Sequence, residues 1–255
     1  MTVASPSAGP ARTGTPPVLA GRRLSKRYGD LVALNDVDFQ AADGEAVGIV
    51  GPNGAGKTTL LSVLAGSTAA STGSVQLSGV DVTRLGPELR CRRGIGRAFQ
   101  IPRPFGGMTV LENVIVGASY GAGLRPRAVP ERCVEVLELC GLIELANRRA
   151  DSMGLLHRKR LELARAVATG PKVLLLDEIG AGLTDAEAAE LVVTIRGLHA
   201  TGITIVWIEH IVHVLVQVVQ RLVCMDAGRV IADGEPADVL SSAVVIDAYL
   251  GKAGA

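Results

Sequence analysis

The residues with the clearest chemistry are Gly51-Pro52-Asn53-Gly54-Ala55-Gly56-Lys57-Thr58-Thr59, set between an apolar run at 46–50 and a helix-forming run at 60–65. A buried strand, a glycine-rich turn and a helix beginning at Lys57 aim successive backbone N–H groups and the positive end of a helix dipole at one point. That point suits a phosphate. Lys57 adds a mobile charge for the terminal phosphates, and the Thr58 hydroxyl is placed to ligate Mg²⁺, which keeps waters and borrows phosphate oxygens. Looser glycine patterns often only join a strand to a helix. Here the full G-x-x-x-x-G-K-T spacing stands in its strand-turn-helix context, and a nucleotide is the expected ligand.

Two strand ends supply the other reactive groups. The apolar run 173–176 reads as a parallel strand buried on both faces and delivers Asp177 and Glu178 at its carboxyl end, the edge where open parallel sheets bind ligands. The run 203–208 ends the same way in Glu209 and His210. Asp177 suits holding Mg²⁺ or its waters, while Glu178 points elsewhere and can polarise an attacking water. Carboxylates at a strand end also cap helices. The upstream phosphate loop favours catalysis for this pair.

The elements that must position these groups are legible in outline. Segments 18–22 and 34–40 read as strands flanking a basic turn at 25–30, and three early strands with 74–77 form a small antiparallel sheet beside the nucleotide core. The basic run 90–97 reads as a solvated face. Prolines and glycines after Ile101 give an irregular loop, followed by a helix with Thr109 as N-cap and Glu112 three residues on. Further helices are expected at 131–140, stopped by Gly141, at 158–169, stopped by Gly170-Pro171, after Thr184 with Glu187, and at 211–219. Segments 221–225 and 229–232 read as a hairpin around Gly228.

Length and composition bound the function. The 255 residues suffice for one α/β domain with an insertion, expected from 18 to 255 after a disordered tail at 1–17. A formal charge of +1 argues against a broad nucleic-acid or anionic-membrane footprint. The longest uncharged stretch, 58–80, is broken by Ser, Thr and Gly, and the first residues lack the apolar core of a signal peptide, so a cytoplasmic chain is expected. Four scattered cysteines form no C-x-x-C pair and read as reduced thiols.

In this order the motifs resemble the ATP-binding-cassette family, over nearly everything from Val18 to Gly251. Tyr28 stands in the position of the adenine-stacking aromatic, Gly51 to Thr59 is similar to Walker A, and 173–178 is similar to Walker B with its catalytic glutamate. Gln100 in Ala98-Phe99-Gln100 resembles the Q-loop glutamine, Ala181-Gly182-Leu183-Thr184 the D-loop, and His210 the switch histidine. The resemblance implies a RecA-like P-loop core with an antiparallel β subdomain and a helical insertion at about 101–170. It implies ATP and Mg²⁺ as ligands, with Gln100 reaching the metal and water and His210 the γ-phosphate. Partners implied are a second cassette chain, membrane permease subunits and, indirectly, an extracytoplasmic solute-binding protein, which would hold the chain at the inner face of the membrane.

Within the family, Arg97 to Gln100 with Met108 to Val114, Trp207 to His210 and the closing Ala248-Tyr249-Leu250-Gly251 are similar to ATPase subunits of branched-chain amino acid importers. One motif departs. Where the family carries L-S-G-G-Q, this chain has Met153-Gly154-Leu155-Leu156-His157, so the usual serine is Gly154 and the second glycine Leu156. A leucine side chain and a missing hydroxyl are expected to weaken contact with the γ-phosphate of an opposite subunit. Another register makes Gly154 the signature glycine, at the cost of two extra residues before the helix. The departure leaves open an ATP-switched cassette with little hydrolysis of its own; a soluble cassette ATPase outside transport is a separate alternative, though such proteins usually carry two cassettes or long inserted arms.

Overall fold

The computed structural model describes residues 16–250, so all but the last two residues of the expected tail lie outside the described part, as does Gly251. Strands β1 (Leu19–Tyr28) and β2 (Leu31–Ala41) pair antiparallel across a turn at 29–30. The basic turn expected at 25–30 is therefore mostly strand. Leu24 and Leu34 are buried in this ladder, Ser25 and Lys26 are partly exposed and Arg27 is open to solvent, with register shifts on either side of Lys26.

Strand β3 (Ala46–Val50) leads into α1 (Lys57–Ala65), and the chain returns through β4 (Thr72–Leu77) and β5 (Val80–Asp81). The antiparallel sheet runs β2-β1-β4-β5. Only two of the early strands join it, because β3 lies in the other sheet and β5 takes the fourth place. Next come α2 (Pro87–Arg92) and β6 (Ile95–Ala98), so the run expected to be a solvated face is helix, turn and strand. Arg90 is buried. Its guanidinium donates to the Val63 and Leu64 carbonyls at 2.7 and 2.8 Å, closing the C-terminal end of α1, and also to Thr83 and Leu85. A cation there meets the negative end of the helix dipole and the carbonyls that the helix leaves unpaired.

Helices α3 (Val110–Val116), α4 (Val129–Leu139) and α5 (Leu155–Ala168) form the insertion. Thr109 and Glu112 close the expected reciprocal cap on α3. Helix α5 starts earlier than expected, with Gly154 as its N-cap. Strand β7 (Val173–Asp177), helix α6 (Asp185–Ala200) capped by Thr184 and Glu187, and strand β8 (Thr204–Ile208) follow as the periodicity indicates. The helix expected at 211–219 shortens to α7 (Val212–Leu215), followed by a turn at 216–218. β9 (Arg221–Asp226) and β10 (Arg229–Gly234) make the hairpin, and α8 (Pro236–Ser241) and α9 (Ala243–Leu250) end the described chain.

The main sheet runs β10-β9-β3-β8-β7-β6, parallel except for β10. Every residue of β3, β7 and β8 is buried. Alternate residues serve opposite cores: Leu174, Leu176, Ile205 and Trp207 pack with α5 and α6, whereas Val173, Leu175, Val206 and Ile208 pack with α1 and the antiparallel sheet. This two-sided burial explains the unbroken apolar runs. Because β3, β8 and β7 are neighbours, their carboxyl ends open at one edge.

Candidate functional site

At that edge the turn after β3 forms the cradle. Gly51 has φ +143° and Gly56 φ +100°. A side chain at Gly51 would run into the Met225 carbonyl, and one at Gly56 would stand 2.5 Å from the Ala33 carbonyl oxygen. Only glycine fits. The Tyr249 hydroxyl of α9 accepts from the Gly51 N–H at 2.8 Å, and the Gly228 N–H donates to the Ala55 carbonyl at 3.0 Å, so the loop is pinned from the far end of the chain. Pro52 is partly exposed and Asn53, Gly54 and Thr58 are open to solvent, while Thr59 turns partly inward.

Lys57 does not extend outward as a free charge. Its ammonium is buried and donates to the Gly51 and Pro52 carbonyls at 2.7 and 3.0 Å. Burial pushes its pKa down, and the Glu178 and Asp177 carboxylates oppose that shift. Thr58 Oγ1 stands 3.4 Å from Asp177 Oδ1, so the loop and the end of β7 do meet. The other Asp177 oxygen accepts from Arg97 Nη2 of β6 at 2.7 Å, an ion pair almost closed to solvent. Arg97 is thus a second member of the basic run that turns inward, and its place in β6, three residues before Gln100, was the available signal.

Glu178 points to the other side of the strand end. Its Oε2 accepts from Gln100 Nε2 at 2.8 Å and its Oε1 lies 2.8 Å from His210 Nε2. Three residues separated widely in sequence are therefore joined through one carboxylate. Glu178 has φ +48°, a left-handed conformation costing a non-glycine residue about 1–3 kcal/mol. Backbone bonds hold it there: its N–H donates to the Ile208 carbonyl at 2.9 Å and its carbonyl accepts from the Ala181 N–H at 3.2 Å.

Beneath this set lie buried charges that motif spacing did not reveal. Glu209 accepts from the Gly180 N–H at 2.6 Å and from Trp207 Nε1 at 3.2 Å. Lys159 of α5 donates to the Gln100 carbonyl at 3.2 Å. On the same helix face, Glu162 pairs with Arg165 at 3.0 Å, and Arg165 donates to the Arg103 carbonyl at 2.8 Å. The i, i+3, i+6 spacing of these α5 residues is the signal that could have found them. Burial lowers the Lys159 pKa and raises those of Glu162 and Glu209.

Two expected groups stand apart. Tyr28, at the end of β1, is 49% exposed with Lys26 Nζ 4.8 Å from its ring centroid. Among the described residues no hydrogen bond links Met153, Gly154, Leu155, Leu156 or His157 to the phosphate loop. Gly154 caps α5 without any side-chain bond. Leu156 is buried in the core, and Leu155 is the exposed one, at 41%.

Thr58 and Asp177 offer adjacent hard oxygens at the mouth of the cradle, a donor set suited to Mg²⁺ with phosphate and water completing its shell. The loop, the paired strand ends and the two-sheet architecture define a nucleotide-hydrolysing cassette. The ABC transporter family profile matches residues 34–181, and the chain belongs to that family, whose cassettes are ATPases. A profile described as branched-chain amino acid ATP-binding cassette transporter matches residues 229–255.

Among curated relatives, the high-affinity branched-chain amino acid transport ATP-binding protein BraF of Pseudomonas aeruginosa is 34% identical over 93% of this chain and 99% of its own. The corresponding LivG protein of Salmonella typhimurium is 36% identical with the same coverage. A crystal structure of the ADP conformation of MJ1267, an ATP-binding cassette of an ABC transporter, superposes with a TM-score of 0.83 at 32% identity, covering 93% of this chain and all of that one. Among the described residues no helix is long and apolar enough to cross a membrane.

Proposed function

We infer that this chain is the ATP-hydrolysing subunit of an importer for branched-chain amino acids or related small polar solutes. The observation that carries the chemistry is the convergence of Gln100 and His210 on Glu178, beside a phosphate cradle whose Thr58 faces Asp177. The substrate class is inherited from BraF and LivG, since the solute would be selected by subunits other than this one.

In this reading Gly51 to Thr59 and Lys57 hold the ATP phosphates, with Tyr28 as platform for the adenine. Lys57 leaves the Gly51 and Pro52 carbonyls to do so, exchanging neutral acceptors for charged ones. Thr58, Asp177 and Gln100 would hold Mg²⁺, which supplies positive charge against the terminal phosphate oxygens. Glu178 takes the proton of the attacking water and His210 stabilises charge on the transferring phosphoryl group. The residues from 18 onward act as one cassette, with the helical part at about 101–170 passing movement to permease subunits at the inner face of the membrane.

Two cassettes would close head to tail, each offering α5 to the other's nucleotide. Gly154 offers no hydroxyl there, and the exposed Leu155 stands where a glycine is usual. This favours a second reading in which the chain depends on a companion cassette with an intact signature. Steady-state ATPase activity of the chain alone, then with companion and permease subunits in vesicles loaded for leucine uptake, separates these. Turnover alone supports a self-sufficient homodimer, turnover and uptake only in the mixture support the companion, and silence in both sinks the hydrolytic reading.

A further inference from the structure

Glu209 is 2% exposed and has no place in the chemistry above. Burying a carboxylate is costly unless its oxygens are well bonded, and here the bonds go to particular places. Oε1 accepts from the Gly180 N–H, two residues beyond Glu178, and from the indole N–H of Trp207; the carboxyl group also accepts from the backbone of His210, its own neighbour. A side chain at Gly180 would stand 2.9 Å from Glu209 Oε1, so this approach needs glycine there. Its charge is felt by the buried Lys159, which holds the Gln100 carbonyl.

We propose that Glu209 is a positioning residue for hydrolysis: its carboxyl group ties the turn after Glu178 to the strand end carrying His210, keeping the left-handed Glu178 backbone aimed at the reacting water. The proposal rests on Glu178 and His210 carrying the chemistry. Three features argue for it together. Glu178 sits in a conformation that side chains avoid and that must be imposed by its surroundings. Its own N–H is bonded to Ile208, so the β7 and β8 ends are already in register when Glu209 reaches across. And the turn from Gly180 to Leu183 closes on itself through the Leu183 N–H to the Gly180 carbonyl at 3.2 Å, so a tether at Gly180 fixes all of it.

The test uses Glu209→Ala and the near-isosteric Glu209→Gln, whose amide oxygen still accepts from Gly180 and Trp207. In the assembly that turns over, Glu209→Ala is expected to lower kcat about tenfold or more with nucleotide affinity within about twofold, and Glu209→Gln to recover most of the loss. Amide hydrogen exchange of the peptide spanning 178–183, read on the full chain, is expected to speed up about tenfold in Glu209→Ala alone. Unchanged exchange, a kcat within about twofold of the parent, or equal loss of nucleotide affinity in both variants would each overturn the proposal. Glu178→Gln measured alongside separates the premises: if that variant still turns over, the base assignment fails, whereas an inactive Glu178→Gln beside a normal Glu209→Ala removes only the positioning role.

Discussion

Asp177 and Glu178 are adjacent and chemically alike, yet the strand end sends them to different partners: Arg97 and Thr58 for one, Gln100 and His210 for the other. Asp177 closes β7, and the left-handed backbone at Glu178 turns the next side chain away from it, toward Gln100 and His210. The division makes Glu178→Gln a clean change. The amide keeps the shape and one acceptor but cannot take a proton, so ATP affinity should stay within about twofold while turnover falls about 100-fold or more. Equilibrium nucleotide binding and phosphate release measure the two, and retained turnover would sink the role. The Glu209 experiment belongs to this scale too, one residue further from the reaction.

At the scale of elements, α1 is the part that most depends on its ends. Its N-terminus faces the phosphate site and its C-terminus receives Arg90 across from α2, so one helix joins a ligand-binding end to a buried cation. Arg90→Leu would leave the carbonyls of Val63, Leu64, Thr83 and Leu85 without that donor in the interior. The expected loss is about 3 kcal/mol of stability, read as a lower urea midpoint at unchanged slope. A shift under about 0.5 kcal/mol would mean that water replaces the guanidinium. The basic run looked like a solvated face because spacing alone does not say that a helix end will sit over it. By contrast the caps at Thr109 and Thr184 were legible, since a reciprocal cap is closed within four consecutive residues.

At the scale of the molecule, two cores flank one sheet and enclose most of the thiols. Cys133, Cys140 and Cys224 are buried, and burial pushes the Cys140 thiol up to about 12 and that of Cys224 to about 11. Cys91 is partly exposed. Because the thiolate is the reactive form, native protein at neutral pH should take up iodoacetamide at Cys91 and leave the other three unlabelled until it is unfolded. Mass spectrometry of peptides decides it; early labelling of Cys140 would show that the helical core opens readily.

The spacing in the sequence by itself marked the phosphate cradle and the two carboxylates, each at a fixed offset from an apolar run, whereas Gln100 and His210 stood out only through the resemblance to the cassette family. The sequence also determined the α/β class, since runs buried on both faces occur in parallel sheets. Only the tertiary structure decided that Arg90 and Arg97 turn inward, that β3 leaves the small sheet, that Leu156 packs into the core while Leu155 is exposed, and that Tyr249 from α9 anchors the phosphate loop. These are contacts between segments far apart in the chain. Their partners are chosen by which faces pack together, and local periodicity carries no record of that choice.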